Sequence, residues 1–357
     1  MSPLISTTAE LQQLSAEVRQ APWVALDTEA DSLHAYPEKL CLVQLAIPGK
    51  EVLVDPLADL HLEPLWDALE NRELVFHAAD YDLRLIFQGH YFRPAAIFDT
   101  MWAARLLGEP KFGLNDVLTK HLGITLEKGA QKANWGRRPL TARMTEYALN
   151  DVRHLHALET TLRDQLTQKC RLEWHRQICD QLIHECARAD VVDTNQVWRI
   201  KGHDRLDPLG LAIMRELYWW REEDACRTNR PPFFVLSHEK LSEIAAEAAQ
   251  KDSRTFRLPT FLTPKRRRGI EEAIERGLAV PEDQRPVHVR IRTRRLTRKE
   301  IARAEVLRER RDRHAAELGI DPTIIAARAQ LFSLAREDTP ESWSSLLPWQ
   351  LELLRDR

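Results

Sequence analysis

The chain has 357 residues, of which 43% are hydrophobic and 30% charged, with a formal net charge of −2. That is room for about two and a half domains of roughly 150 residues, with the composition of a globular protein able to bury a core. No run approaches the roughly 18 apolar residues of a membrane helix, which excludes an integral membrane protein, and the start of the chain lacks a basic segment followed by an apolar one, so a cytoplasmic rather than a secreted protein is expected.

Five cysteines (Cys41, Cys170, Cys179, Cys186 and Cys226) show no metal-type spacing. They suit a reducing compartment without a disulfide framework or structural zinc. The small net charge conceals an asymmetry. Residues 1–165 hold 16 Lys and Arg against 23 Asp and Glu, and the remainder 36 against 31. The basic excess concentrates at Lys265–Arg268 (KRRR) and at Arg285–Arg313, with twelve bases and four acids. Such clusters either attract polyanions or form solvated helical faces paired with acids.

In chain order, a helical pattern over Thr8–Gln20 precedes a short apolar run, Trp23–Asp27. Leu40–Ile47 and Glu51–Val54 flank Pro48-Gly49 as a hairpin. A helical pattern at Leu62–Glu70 leads to strand Leu74–His77, helix Tyr81–Gln88, strand Ala96–Phe98, and helices Thr100–Leu107 and Leu114–Leu122. Strand signals then cease: Thr141–Leu166 reads as one long helix and Glu173–Ala189 as another. The order predicts a mixed sheet covered by helices, an α/β domain, followed by helical domains. Two later segments, Leu217–Ala225 and Val306–Ala315, read as copies of one helical unit. Each has an Arg four residues before an Ala and a proline soon after, with a period near 90 residues. Pro281–Thr293 reads as the linker between them.

Four acids matter together. Asp27 and Glu29 are two apart at the end of the first strand, and a continuing strand would put both carboxylates on one face. Acids so close repel unless they share protons or bind cations. Asp82 follows the strand LVFH where a helix should begin. Asp151 lies four residues after Tyr147, on one face of a helix. Asp80, Asp82 and Asp99 each also suit helix capping, and Tyr147 suits a core or boundary position.

Asp27-Thr28-Glu29, His77–Leu83 (HAADYDL) and Tyr147–Asp151 (YALND) resemble the three motifs of DEDD exonucleases, and the Tyr marks the DEDDy branch. Lys39–Ala46 (KLCLVQLA), Phe98–Gly108 (FDTMWAARLLG) and Asn134–Leu140 (NWGRRPL) narrow the resemblance to the ribonuclease D family. The segment from Leu209 to about Gly277 resembles an HRDC domain, a helical nucleic-acid-binding module.

The resemblance implies a ribonuclease H-like mixed sheet with flanking helices, followed by two small all-α domains. The expected domains are an exonuclease domain at 1–170, a helical connector at 171–206, an HRDC domain at 207–285 and a second HRDC-like domain at 286–357. It implies a 3′-5′ exoribonuclease that uses two divalent ions, Mg2+ or Mn2+, and releases nucleoside 5′-monophosphates in 3′ maturation of tRNA precursors. Two ions of this kind would stabilise the attacking and leaving oxygens. Asp27 would bridge both, Glu29 and Asp151 would complete the site of the nucleophilic water, Asp82 would support the second ion through water, and Tyr147 would orient the attacking water. Thr28, His34, Tyr36, His77, Arg137 and Arg138 are the candidate substrate contacts. His77 also reads as a structural histidine, and Arg137 and Arg138 as a solvated basic loop. Trp219 and Trp220 read as core before base-stacking.

The sequence departs from the family pattern at Ala30, where an aromatic residue commonly follows the first motif, and at Asn134, where Asp is common. The first departure leaves the sugar open. The expected partner is RNA, tRNA precursors first, with DNA next, for a monomer without membrane contact. The alternatives are a DNA 3′-5′ exonuclease in repair and a catalytically inactive nucleic-acid-binding protein.

Overall fold

The computed structural model describes residues 4–127, 129–188, 193–250, 258, 262–288 and 294–355. Packing divides the chain into two compact units. One comprises Met1–Ala30, Leu40–Ala189 and Arg294–Arg357, the other Asp31–Lys39 and Asp190–Thr293.

The first unit is built on a six-stranded sheet of β1 (Leu4–Ile5), β2 (Val24–Ala30), β3 (Leu40–Ile47), β4 (Lys50–Val54), β5 (Glu73–Phe76) and β6 (Ala96–Asp99), in the order β1-β4-β3-β2-β5-β6. The β2–β3 and β3–β4 pairs are antiparallel, while β1–β4, β2–β5 and β5–β6 are parallel. This is the mixed sheet expected from the sequence, with the hairpin at Gly49 (φ 73°). The two-residue β1 was not legible, because its partners rather than its own pattern define it.

Both faces of the sheet are covered, which is why β3 reads as a continuous apolar run. On one face Leu26, Val43 and Leu45 pack with residues of α1 (Thr8–Gln20), α2 (Glu63–Leu69) and α3 (Asp80–His90). After α4 (Thr100–Leu107) and α5 (Leu114–Leu122) come α6 (Ala142–Arg153) and α7 (Leu155–Gln168). The single helix expected over Thr141–Leu166 is therefore two. His154 leaves the helical region (φ −108°, ψ 1°), which lets α6 lie over β2–β4 while α7 turns onto α4 and β5. On the α6 face, Leu42 and Leu53 pack with Met144, Ala148 and Leu149, and Ala25 and Ala46 pack with Val152. α8 (Leu172–Cys186) follows; Ala189, the end of the expected helix, lies outside the described residues.

The second unit is helical: α9 (Pro208–Thr228), α10 (Pro232–Val235), α11 (His238–Gln250) and α12 (Pro264–Leu278). α12 meets α9 closely at two glycines. A Cβ on Gly269 would stand 2.2 Å from Trp220 Nε1, and one on Gly277 2.5 Å from Ile213 Cα. Trp220 is buried and Trp219 packs against the same core, as expected.

The chain then contributes α13 (Arg298–Leu318), α14 (Pro322–Ile325), α15 (Arg328–Arg336), α16 (Pro340–Trp343) and α17 (Pro348–Arg355) to the first unit. Leu307, Ile325 and Trp349 share a core with Phe98, Leu106 and Leu158. Trp349 stacks on Trp174 at 4.7 Å, and Arg171 donates to the carbonyls of both Leu106 and Leu318 at 2.6 Å.

The internal repeat is present with a 90-residue offset. α9 and α13 each have 21 residues, end at left-handed caps (Asn229 and Gly319), and are followed by a four-residue helix. Arg221 donates to the Leu236 carbonyl and Arg311 to that of Ala326, corresponding positions in the two copies. Residues 289–293 of the expected linker lie outside the described residues.

Candidate active site

β2 continues past the expected Asp27 to Ala30, with a register irregularity between Glu29 and Ala30. The period of two therefore holds through both acids, and Asp27 and Glu29 share the face covered by α6. Thr141 caps α6 by accepting from Met144 N (3.2 Å). Met144, Ala148 and Val152 turn inward, and the four-residue spacing carries Tyr147 and Asp151 along one side. Asp27, Glu29 and Asp151 converge so that one carboxylate oxygen from each lies within 4.8 Å of the others. Tyr147 donates its hydroxyl to Asp151. Its ring lies 6.1 Å from that of Trp135, and a Cβ on Gly129 would stand 2.0 Å from Tyr147 Cδ2.

Asp82 arrives from the opposite face, in the first turn of α3. Its Oδ1 accepts from Thr28 Oγ1 at 2.5 Å, and Thr28 points away from Asp27 and Glu29 because it is the odd residue between them. Asp82 is thus tied to β2 through Thr28, and its charge acts on Glu29 and Asp151. The turn that sets it there depends on Asp99. This buried carboxylate accepts from Ala78 N (3.1 Å), Ala79 N (2.8 Å), Met101 N (2.8 Å) and Trp102 N (3.2 Å). It caps α4, as expected, and also holds Ala78 in a left-handed conformation (φ 64°) between β5 and α3.

The electrostatics show an anionic cluster whose members raise one another. Burial raises Asp27 well above the usual carboxylate range, and the Asp151 charge adds to it. Glu29 is pushed up to about 10 by burial and by the charges of Asp27, Asp151 and Asp82. Asp82 is raised well above its ordinary value by burial and by Asp27. Asp151 rises to about 7 through burial, although the Tyr147 hydrogen bond opposes the rise. Tyr147 is itself raised by burial and by Asp151. Three convergent oxygen donors that repel one another suit a hard divalent cation, so the donor set fits the ions expected.

The candidate substrate contacts are scattered. Thr28 is buried and engaged by Asp82. His77 Nδ1 meets Thr100 Oγ1 at 2.9 Å, that hydroxyl donates to the Phe76 carbonyl, and burial lowers His77 to about 4, so it is a neutral, bonded histidine. His34 is exposed on the loop after β2. Tyr36 groups with the second unit, where its hydroxyl donates to Glu222 and its N–H to Asn229 Oδ1. Arg137 is exposed. Arg138 departs from the expected backbone contact: it pairs with both oxygens of Asp55 at 2.6 Å and donates to the carbonyls of Cys41, Trp135 and Arg137. Its donors are engaged by the protein, so it clamps the loop to β3 instead. Asn134 Oδ1 closes a local turn by accepting from Gly136 N.

Two residues went unremarked in the sequence reading. Thr100 bonds His77. Gln44 lies directly opposite Asp27 in the β2–β3 register and is fully buried. Its signal was available: one amide in the otherwise apolar run LCLVQLAI.

The fold and site define a 3′-5′ exonuclease. A sequence profile described as 3′-5′ exonuclease matches residues 3–167, and an HRDC domain profile matches 210–275. Ribonuclease D of Jannaschia sp. (strain CCS1) is 32% identical over 366 aligned residues, covering 99% of this chain and 93% of its own. Ribonuclease D of Nitrobacter hamburgensis is 31% identical, covering 98% and 92%. The chain belongs to the ribonuclease D family. Among solved structures, a protein from Bifidobacterium adolescentis superposes with a TM-score of 0.83 at 24% identity, over 98% of this chain and 94% of that one. Escherichia coli RNase D, described as an exoribonuclease involved in structured RNA processing, gives 0.73 at 24%, over 98% and 92%. Both share the fold. Among the described residues no helix is long and apolar enough to cross a membrane.

Proposed function

We propose that this protein hydrolyses RNA from its 3′ end with divalent cations held by Asp27, Glu29, Asp82 and Asp151, and that its substrates are tRNA precursors undergoing 3′ maturation. The observation that carries the reading is the convergence of Asp27, Glu29 and Asp151, with Tyr147 bonded to Asp151 and Asp82 bonded to Thr28. Asp27, on β2 beside Glu29 and Asp151, would be shared by two ions. Glu29 and Asp151 would complete one site, and Asp82 would serve the second through water. Bound magnesium or manganese supplies the positive charge that a phosphodiester needs at such an acidic surface and makes water more acidic.

The chain's own residues do the rest. Tyr147, fixed by Asp151 and backed by Trp135, presents a hydroxyl at the edge of the cluster to orient water. That water oxygen bonds to phosphorus while the bond to the neighbouring 3′ oxygen breaks. The 3′ oxygen takes a proton, and a nucleoside 5′-monophosphate departs. Arg137 and His34, both exposed, are assigned to the incoming strand, and the Arg- and Lys-rich helical modules to the body of the RNA. Contacts to phosphate give affinity without sequence choice.

Support for RNA over DNA comes from the ribonuclease D relatives that align over nearly the whole chain. The test uses 5′-labelled RNA and DNA strands of one sequence, plus a tRNA precursor with a 3′ extension, each with Mg2+, Mn2+ or EDTA. A metal-dependent ladder from the 3′ end, faster on RNA and stopping near the mature tRNA end, is expected. A faster ladder on DNA would replace the substrate assignment, and equal cleavage in EDTA would remove the metal.

A further inference from the structure

Gln44 is the one polar residue of β3, whose eight residues are all buried. It is 0% exposed, and among the described residues neither its amide nitrogen nor its amide oxygen has a hydrogen-bond partner. A desolvated amide without hydrogen bonds destabilises a fold, and an apolar side chain of similar size would not. An explanation must therefore come from what Gln44 faces.

The register supplies it. Asp27 and Gln44 are directly paired across the antiparallel β2–β3 ladder, so their side chains rise from the same face with Cβ atoms about 4.5–5.5 Å apart. Apart from Glu29, the diagonal neighbour two residues beyond Asp27 on β2, the ladder neighbours of Gln44 on that face are apolar. Leu42 and Ala46 flank Gln44 on its own strand, Leu53 pairs with it on β4, and α6 covers the face with Ala148 and Val152. The polar side chain opposite Gln44 is the carboxylate at the centre of the acid cluster. A glutamine extends far enough across such a pair for its Nε2 to reach a carboxylate oxygen.

Resting on the metal-site reading above, we propose that Gln44 is a positioning residue of the cation site: in the loaded protein its side-chain N–H donates to the Asp27 carboxylate and fixes the rotamer from which Asp27 binds. Hydrogen bonds to a charged acceptor are shorter and stronger than neutral ones, and groups that orient metal ligands from behind set affinity as well as geometry. Gln44 touches neither cation nor RNA. Its cost is carried by the metal-free protein and recovered on binding.

The experiment compares full-length wild type, Gln44→Met, Gln44→Leu and Asp27→Asn. Mn2+ affinity is measured by calorimetry, melting temperature without metal, and kcat and KM on a short RNA. Both Gln44 variants should melt without metal at or above the wild-type temperature. They should bind Mn2+ about 10-fold or more weakly and lose kcat with little change in KM. A lower melting temperature with unchanged Mn2+ affinity would make Gln44 a packing residue and overturn the proposal, as would variants indistinguishable from wild type. Failure of both variants to fold would overturn it too, since the amide would then be needed by the fold itself. If wild type neither binds Mn2+ nor cleaves, the metal reading fails. If wild type is active and Asp27→Asn is not, an unaltered Gln44 variant sinks this inference alone.

Discussion

Asp27, Glu29, Asp82 and Asp151 all hold protons more tightly in the folded chain than ordinary carboxylates do. For an acid whose folded pKa is raised, the folded state binds more protons than the unfolded one between the ordinary value and the raised one, so stability falls as pH rises through that window. The metal-free protein should therefore lose melting temperature steadily from about pH 5, through the Asp151 value of about 7 and towards the Glu29 value of about 10. Added Mn2+ competes with those protons and should raise the melting temperature more at pH 8 than at pH 6. A metal-free profile flat across that range would contradict the electrostatic description. Asp99 offers a second prediction. Ala78, Met101 and Trp102 donate to one Asp99 oxygen and Ala79 to the other, so Asp99→Asn, with a single acceptor oxygen, leaves at least one donor unpaired at about 1–3 kcal/mol. Thermal melting should show clear destabilisation, and cleavage should fall because the turn carrying Asp82 loosens; an unchanged melting curve would count against Asp99 as the fastener of that turn.

At the scale of elements, much of the site was legible because periodicity and motif coincide. The alternation of Asp27 and Glu29 on β2 and the four-residue spacing of Tyr147 and Asp151 on α6 are geometric facts of strand and helix. Asp82 was legible as a site residue but not in its placement, since nothing local says that Thr28 reaches through from the opposite face. In sequence Arg138 reads either as a phosphate contact or as part of a solvated basic loop, and neither reading anticipates its clamp on Asp55. Its partner Asp55 is 83 residues away, and no local pattern reports that pairing. The break at His154 was hidden because both helices keep apolar periodicity across it. Close packing between helices was equally silent: Gly277 of α12 meets the backbone of Ile213. An alanine there gains up to about 1 kcal/mol of helix propensity, yet its methyl has no room. Gly277→Ala should lower the melting temperature, with RNA affinity falling beforehand on heating; a stabilised variant would contradict the contact.

On the scale of the whole molecule, the C-terminal module is part of the first unit's core. Trp349, Leu307 and Ile325 bury Leu106 and Leu158, and Arg171 ties Leu106 to Leu318. Removing residues 294–357 would uncover that surface, so the truncated chain should melt lower and aggregate, measured by light scattering on heating; a soluble, equally stable truncation would contradict this. The basic run is also partly neutralised internally. Arg294, Arg303, Arg308, Arg311 and Arg313 pair with Glu300, Asp338, Glu305, Asp312 and Glu317, so the paired-face reading holds for much of it, while Lys265 and Arg268 remain exposed on α12. The central claim is that the acid cluster performs the cleavage. The most direct measurement follows 3′-end cleavage of 5′-labelled RNA by Asp27→Asn and Asp151→Asn proteins, with melting curves and RNA binding recorded alongside. Both variants should fold and bind RNA as wild type does while cleavage falls below detection. Cleavage retained in either folded variant would contradict the account.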